Sequence, residues 1–289
     1  MQADRWNGRE QALFLKGTHM RKLLEKDRDT LLRYLMKEPE YNLFIIGDIE
    51  NFGLMSETCE VHALDRAEGT YDCVVLRYLD NFIVYSDRQQ FDAGAVAAYI
   101  NAAPEVGCIS AKEDIAEALA PFFPSRQVRR TYLSRIDAVC TPEETGSFEI
   151  RRLSPHDAAD IVALYATIDE FMDDYRDDPE KEIGNMRRTL EKGGRAFGVF
   201  EGDTVFEGDT LIATAATSAE NSMSAMVIGV ATRKGYRGRG LATTIVSALC
   251  RACLDDGMHF LCLFYDNPEA GSIYRKVGFR EVGCYCLIR

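Results

Sequence analysis

The stretch Met226–Gly257, MVIGVATRKGYRGRGLATTIVSALCRACLDDG, constrains this chain more than any other. Met226, Val227, Ile228 and Val230 are apolar and β-prone and read as a buried strand. Arg237-Gly238-Arg239-Gly240 then reads as a tight turn. Beyond it Leu241, Ile245, Ala248, Leu249, Ala252 and Cys253 recur near the helical period, and Gly257 offers a C-terminal stop. A strand that passes through a glycine-rich turn into a helix is a way to hold an anion. The first amides of the helix have no partner within it, and the helix dipole makes that end positive. Glycine lets the backbone come close to a ligand because no Cβ intervenes. Arg233, Lys234, Arg237 and Arg239 add cationic side chains at the same place, in a chain whose formal net charge is −12. The turn is neither a Walker loop nor a G-x-G-x-x-G dinucleotide turn.

Arg237-x-x-Gly240-x-Ala242 resembles the R/Q-x-x-G-x-G/A signature of the GCN5-related N-acetyltransferase family, and Gly229-Val230-Ala231-Thr232 resembles that family's fourth strand. Further on, Asn267, Ala270, Tyr274, Gly278 and Phe279 are similar to its second hallmark, N-x-x-A-x-x-x-Y-x-x-x-G-F. The resemblance covers Phe148 to Arg289 and implies an α/β fold with a mixed sheet, the acyl-CoA N-acyltransferase fold.

Composition bounds the partners. The sequence pI of about 4.9 argues against general nucleic-acid binding, which needs a basic footprint. No apolar run approaches the roughly 20 residues that span a membrane, and the first residues lack a secretory apolar core. Nine cysteines, an odd number without a compact framework, point to reduced thiols and a cytoplasmic protein. Cys250-x-x-Cys253 and Cys284-x-Cys286 lack the second half of a metal site and read as core residues, so no metal is expected.

The 289 residues suggest two domains. Residues 1–19 read as a non-native leader, with Met20 a natural start. Residues 20–137 begin with a helical stretch, Arg21 to Gly53, in which Asp29-Thr30 offers a cap. A meander follows at Glu60–Leu64, Tyr71–Leu79 and Phe82–Tyr85, then alternating helix and strand ending at Arg129–Ile136. Residues 138–147 read as a linker. Residues 148–289 give the order β-α-α-β-β-β-α-β-α-β, with Ser154-Pro155 a helix start, Asn267 an N-cap and Gly278 a helix stop. The first half runs through a similar order but has Ser86–Gly94 where the glycine turn should be. Two tandem copies follow, the first degenerate and only the second binding donor, partly by analogy with the family. The repeat Phe200–Val205 and Phe206–Leu211 reads as a small duplication that lengthens a surface hairpin.

The resemblance implies acetyl-CoA as cosubstrate and a small amine or amino-acid-like acceptor, joined in a ternary complex. It places the pyrophosphate on the amides of Arg237, Gly238, Arg239, Gly240, Leu241 and Ala242, and the pantetheine along Val230 and Thr232 on one side and Asn267 and Ala270 on the other. The amide of Val230 polarises the thioester carbonyl. Tyr274 serves as general acid to the leaving thiolate, or only hydrogen-bonds the sulfur, or packs on the helix's core face. The strand offers Ser224, Ala225 and Met226 but no carboxylate for a base. Glu170, with Asp173 and Asp174, is the substitute by position. The segment Asp169–Glu182 holds eight acids against Arg176 and Lys181, which either attracts a cationic amine or is a solvated face. His156 and His259 are the other candidates for a base, or else His156 lies in the first turn of its helix and His259 at a strand start. Acyl-chain length, a hydroxyl acceptor, a homodimer, the part played by the first domain and a non-catalytic acyl-CoA-binding role stay open.

Overall fold

The computed structural model describes residues 20–56, 58–66, 69–141, 148, 150–201 and 210–289. The expected leader, most of the expected linker and most of the duplicated hairpin lie outside the described residues. The elements run β1 (Arg21–Lys22), α1 (Arg28–Leu35), α2 (Leu43–Phe52), β2 (Cys59–Asp65), β3 (Tyr71–Tyr78), β4 (Asn81–Tyr85), α3 (Ala93–Asn101), β5 (Ile109–Lys112), α4 (Glu113–Leu119) and β6 (Val128–Ile136). Then come β7 (Ile150–Arg152), α5 (Ala158–Tyr165), α6 (Met172–Arg176), α7 (Pro179–Glu191), β8 (Ala196–Phe200), β9 (Leu211–Ser218), β10 (Ser224–Thr232), α8 (Leu241–Asp255), β11 (Phe260–Tyr265), α9 (Pro268–Val277) and β12 (Arg280–Ile288).

By contact the chain divides into unit 1, Met1–Arg130 with Cys284–Arg289, and unit 2, Thr131–Gly283. In unit 1 the strands lie in the order β1-β2-β3-β4-β5-β12, with β4 and β5 parallel. In unit 2 the order is β6-β11-β10-β9-β8-β7, with β10 and β11 parallel. Each sheet is therefore completed by a strand from a distant stretch of chain. Tyr285–Ile288 of β12 pair antiparallel with β5, and Tyr132–Ile136 of β6 pair antiparallel with β11. Contacts thus assign the end of β6 to unit 2 and the end of β12 to unit 1, whereas a linear reading keeps β6 with the first half and β12 with the second.

Both sheets are covered on both faces, so their inner strands carry apolar runs, residues 73–76 in β3 and 260–264 in β11. In β3, Cys73 and Val75 pack with Val96, Ile100 and Ile115, while Val74 and Leu76 pack with Leu31, Ile45 and Ile49 on the other face. In unit 2 one core joins Ile245, Leu249 and Val277 to the sheet, and a second joins Leu153, Ile161, Leu164 and Tyr165 to the opposite face.

The two units open alike. Arg21-Lys22-Leu23 and Arg151-Arg152-Leu153 are each followed by a short 3-10 turn ending in Asp27 or Asp157, and then by an eight-residue helix. Asp27 accepts from the Leu24 amide at 2.9 Å and from Arg21 at 3.1 Å. Asp157 accepts from the Ser154 amide at 2.7 Å and from Arg151 at 3.1 Å. The first stretch is thus not wholly helical as expected: Arg21–Lys22 is a strand on β2, and Asp27 rather than Asp29 or Thr30 closes the turn.

Burial alone would raise the Asp157 carboxyl, but hydrogen bonds from Arg151 and from the Ser154 amide and hydroxyl bring it down to about 2. Its ordinary value is 3.8. The folded state therefore holds the ionised form more tightly than the unfolded chain does. That contribution, about 2 kcal/mol, is complete above about pH 4 and is lost as the pH falls to about 2. We expect Asp157→Asn to cost about that much at pH 7, and the gap between the variant's and the wild-type's urea midpoints to close over the same acid window.

Candidate active site

The parallel pair β10 and β11 carries the site. Their pairing runs from Ser224 opposite Phe260 to Met226 opposite Cys262 and goes no further, while β10 continues for six residues to Thr232. The register against β9 shifts between Ile228, opposite Ala216, and Ala231, opposite Thr214. Two residues of β10, Gly229 and Val230, therefore face the single residue Ala215 of β9. That is a β-bulge, with Gly229 at φ +59°. The bulge bends β10 where it leaves β11, so the parallel pair opens at its carboxyl end. Ligands of open α/β sheets bind at that end.

The chain then turns through Lys234–Tyr236 and enters α8 at Gly240, which stands at φ +82° with no side-chain cap. The Thr244 amide bonds back to the Gly240 carbonyl at 3.0 Å, so the amides just before it, at Leu241 to Thr243, precede the first helical bond. Gly238, at φ +78°, and Gly240 both have open space where a Cβ would be. Backbone conformation selects glycine at both positions, and the surface stays bare for a ligand. Arg237 donates from Nε to the Thr232 carbonyl at 3.1 Å, tying the turn to the strand end. The Arg239 guanidinium lies 4.9 Å from the Tyr236 ring. Thr232 Oγ1 and Arg233 Nε are buried without a hydrogen-bond partner, two orphaned polar atoms at the mouth of the turn. A polar ligand seated here would satisfy them, which fits a phosphorylated donor.

Helix α9 supplies the other wall. Asn267 caps it, accepting from the Glu269 amide at 2.9 Å. Asn267, Ala270 and Tyr274 follow at spacings of three and four, which puts them on one stripe of the helix. Val230, Tyr236 and Tyr274 all pack against the core that contains Leu241 and Leu263. The structure thus brings the predicted strand, turn and second-hallmark residues to one end of one unit. The Tyr274 ring lies 5.7 Å from Tyr265 and 6.0 Å from Phe279, and burial pushes its hydroxyl up to about 12.

Glu170 is exposed in the turn between α5 and α6. Its neighbour Asp169 forms an ion pair with Lys234 at 3.4 Å, which brings the α5–α6 turn beside the glycine turn. His156 is exposed, and His259 lies at the opposite end of β11 from Asn267. Among the described residues no group of His, Cys, Asp and Glu could hold a metal, and no helix is long and apolar enough to cross a membrane. A groove of about 690 Å³ in unit 1 is bordered by Lys22, Glu60, Arg77 and Glu105 and by none of the expected site residues.

The residue that sequence reasoning missed is Tyr165. It ends α5, is 4% exposed, and donates its hydroxyl to the Gly229 carbonyl at 3.1 Å. Nothing local marks it, because its partner is 64 residues away. Unit 1 shows the contrast. There β4 and β5 pair from Phe82 opposite Ile109 to Val84 opposite Ala111, and β4 ends one residue later. The carboxylate of Asp87 then takes up the nearby cations, accepting from Arg66 at 2.9 Å and Lys37 at 2.7 Å.

Residues 197–288 match the family model described as GNAT acetyltransferase. That C-terminal stretch is thus similar to GNAT acetyltransferase domains. Solved structures extend the likeness of fold over both units. A Drosophila protein superposes with TM-score 0.67 at 14% identity, over 94% of this chain and 98% of its own. A GCN5-related N-acetyltransferase from Sphaerobacter thermophilus gives 0.59 at 14%, over 93% and 94%. A tandem GNAT protein from the clavulanic acid biosynthesis pathway gives 0.55 at 12%, over 93% and 97%. At such identities the likeness shows the fold alone, a tandem of GNAT folds. Among curated proteins none matches the sequence. The match over residues 197–288 supports acyl transfer in general.

Proposed function

We propose that the protein moves an acetyl group from acetyl-CoA to a small amine by direct attack in a ternary complex. The observation that carries this reading is the opening of β10 from β11 at the Gly229–Val230 bulge, directly before a helix start made bare by Gly238 and Gly240. The pyrophosphate rests on the turn amides from Arg237 to Ala242, and the pantetheine pairs with the free edge of β10 from Val230 to Thr232, as an added strand would. Asn267 and Ala270 border it on the α9 side.

The amine lone pair attacks the thioester carbon, and the carbonyl oxygen gains charge against the Val230 N–H. One such donor contributes about 3 kcal/mol. The C–S bond then breaks, and the amine loses a proton to Glu170 or to water beside it. With its hydroxyl near 12, Tyr274 lies more than three units above an ordinary thiol, so full transfer to the thiolate is uphill by on the order of 4–5 kcal/mol. Tyr274 therefore acts chiefly by hydrogen-bonding the departing sulfur, with the thiolate protonated finally from solvent. We expect Tyr274→Phe to lower kcat about tenfold and to leave acetyl-CoA affinity within about threefold. Because the phenol stays protonated until the pH nears 12, the wild-type kcat profile should show no alkaline limb from Tyr274 below about pH 11.

Calorimetric titration with acetyl-CoA tests the reading. It predicts one site per chain, because in unit 1 Asp87 already occupies its cations. An absence of binding would end the enzymatic reading. One observation favours a non-catalytic acyl-CoA-binding role, namely the exposed position of Glu170 with no carboxylate on β10. Turnover with any amine in a broad panel excludes that alternative.

A further inference from the structure

The bulge of β10 is fitted to one side chain. The Tyr165 ring is held between Phe171, 5.1 Å away, and Tyr175, 5.0 Å away. Its hydroxyl donates to the Gly229 carbonyl at 3.1 Å, and a Cβ on Gly229 would stand 2.0 Å from the same oxygen. The peptide that joins Gly229 to Val230 is planar and trans, so its C=O and its N–H point in opposite directions. Whatever fixes the Gly229 carbonyl therefore fixes the Val230 amide.

We propose that Tyr165 is the positioning residue of acyl transfer: by holding the Gly229 carbonyl it aims the Val230 N–H at the thioester oxygen. The inference rests on the reading above, in which that N–H meets the developing charge. The phenol gives up no proton, and the bonds made and broken are those of the amine attack. A hydrogen bond on the carbonyl also polarises the peptide and makes its N–H a stronger donor. Burial pushes the Tyr165 hydroxyl up, so it remains a donor throughout the neutral range.

The test is Tyr165→Phe, which keeps the ring and removes the donor. We expect kcat to fall about tenfold while the calorimetric Kd values for acetyl-CoA and for CoA each stay within about twofold. In 15N-labelled wild-type protein the Val230 resonance should move with acetyl-CoA and clearly less with CoA, which has no carbonyl. An unchanged kcat in the variant, or equal losses in kcat and affinity, overturns the proposal. If the variant does not fold, the wild-type resonance decides, and equal shifts with the two ligands overturn it. The reading it rests on fails differently. Wild-type protein that binds acetyl-CoA but acetylates no amine defeats catalysis and leaves the Val230 comparison to judge the amide's orientation. Wild-type protein that binds neither ligand overturns both.

Discussion

Gly240→Glu should leave a folded protein that has lost acetyl-CoA binding by more than about a hundredfold. The two halves of that expectation have separate causes. Any side chain at φ +82° costs about 1–2 kcal/mol in backbone strain. The new Cβ meets nothing within 4 Å, so no repacking cost is added. A carboxylate at the start of α8 also favours the helix dipole by several tenths of a kcal/mol. The fold therefore loses little. On the proposed reading the ligand loses much, because the same carboxylate stands where the pyrophosphate would approach the amides of Leu241 and Ala242, and both are anionic. Calorimetry with acetyl-CoA beside a thermal melt separates the two effects. Retained affinity would move the donor site elsewhere.

Gly229→Ala is the second large effect, and it strikes the fold first. The residue sits at φ +59°, and its Cβ would overlap the Tyr165 hydroxyl at 2.0 Å and the ring carbon behind it at 3.0 Å. Strain of about 1–2 kcal/mol adds to an overpacking cost of about 1–3 kcal/mol. In a unit of this size we expect the melting temperature to fall by about 4–20 °C. Adding Tyr165→Phe removes the closest atom and should restore part, but not all, of that loss, since the backbone strain remains. A double variant no more stable than Gly229→Ala alone would mean that the phenol does not limit space at the bulge.

These two glycines show what a sequence makes legible. Gly240 could be read in place: the spacing of Gly238, Gly240 and Leu241 lies within one turn, and the apolar period of α8 starts directly after it. The Asn267 cap and the stripe through Ala270 and Tyr274 were legible for the same reason, since three-to-four spacing is local. Gly229 was visible as part of a strand, but its bulge was not, because a bulge is defined only against the register of a partner. Tyr165 was invisible for a related reason: an apolar-face tyrosine at the end of a helix looks like core until its hydroxyl meets the Gly229 carbonyl. Helix α6 was missed because five residues in an acidic segment are too short for a period to show. Strand β1 was missed because two residues become a strand only when Arg21 and Lys22 lie opposite Ala63 and His62. The exchanged strands were hidden too, since alternation reports which face of a strand is buried and says nothing of which neighbour it will pair with.

That exchange sets the order in which the molecule can be finished. The edge of unit 1 beyond β5 is closed by Tyr285–Ile288, which are synthesised after every other strand of that unit. At roughly 5–20 residues per second, the more than 150 residues between Lys112 and Tyr285 take on the order of ten seconds or more to emerge. Through that interval Ile109 and Ala111 wait with an unpaired strand edge, while Cys286 and Ile288, their later neighbours in the core, do not yet exist. Unit 2 has no such wait, since β6 is made before β11 needs it. Unit 1, whose first strands emerge before those of unit 2, is thus completed after them, and a nascent chain arrested before Tyr285 should expose that edge to protease while a chain that includes Ile288 protects it.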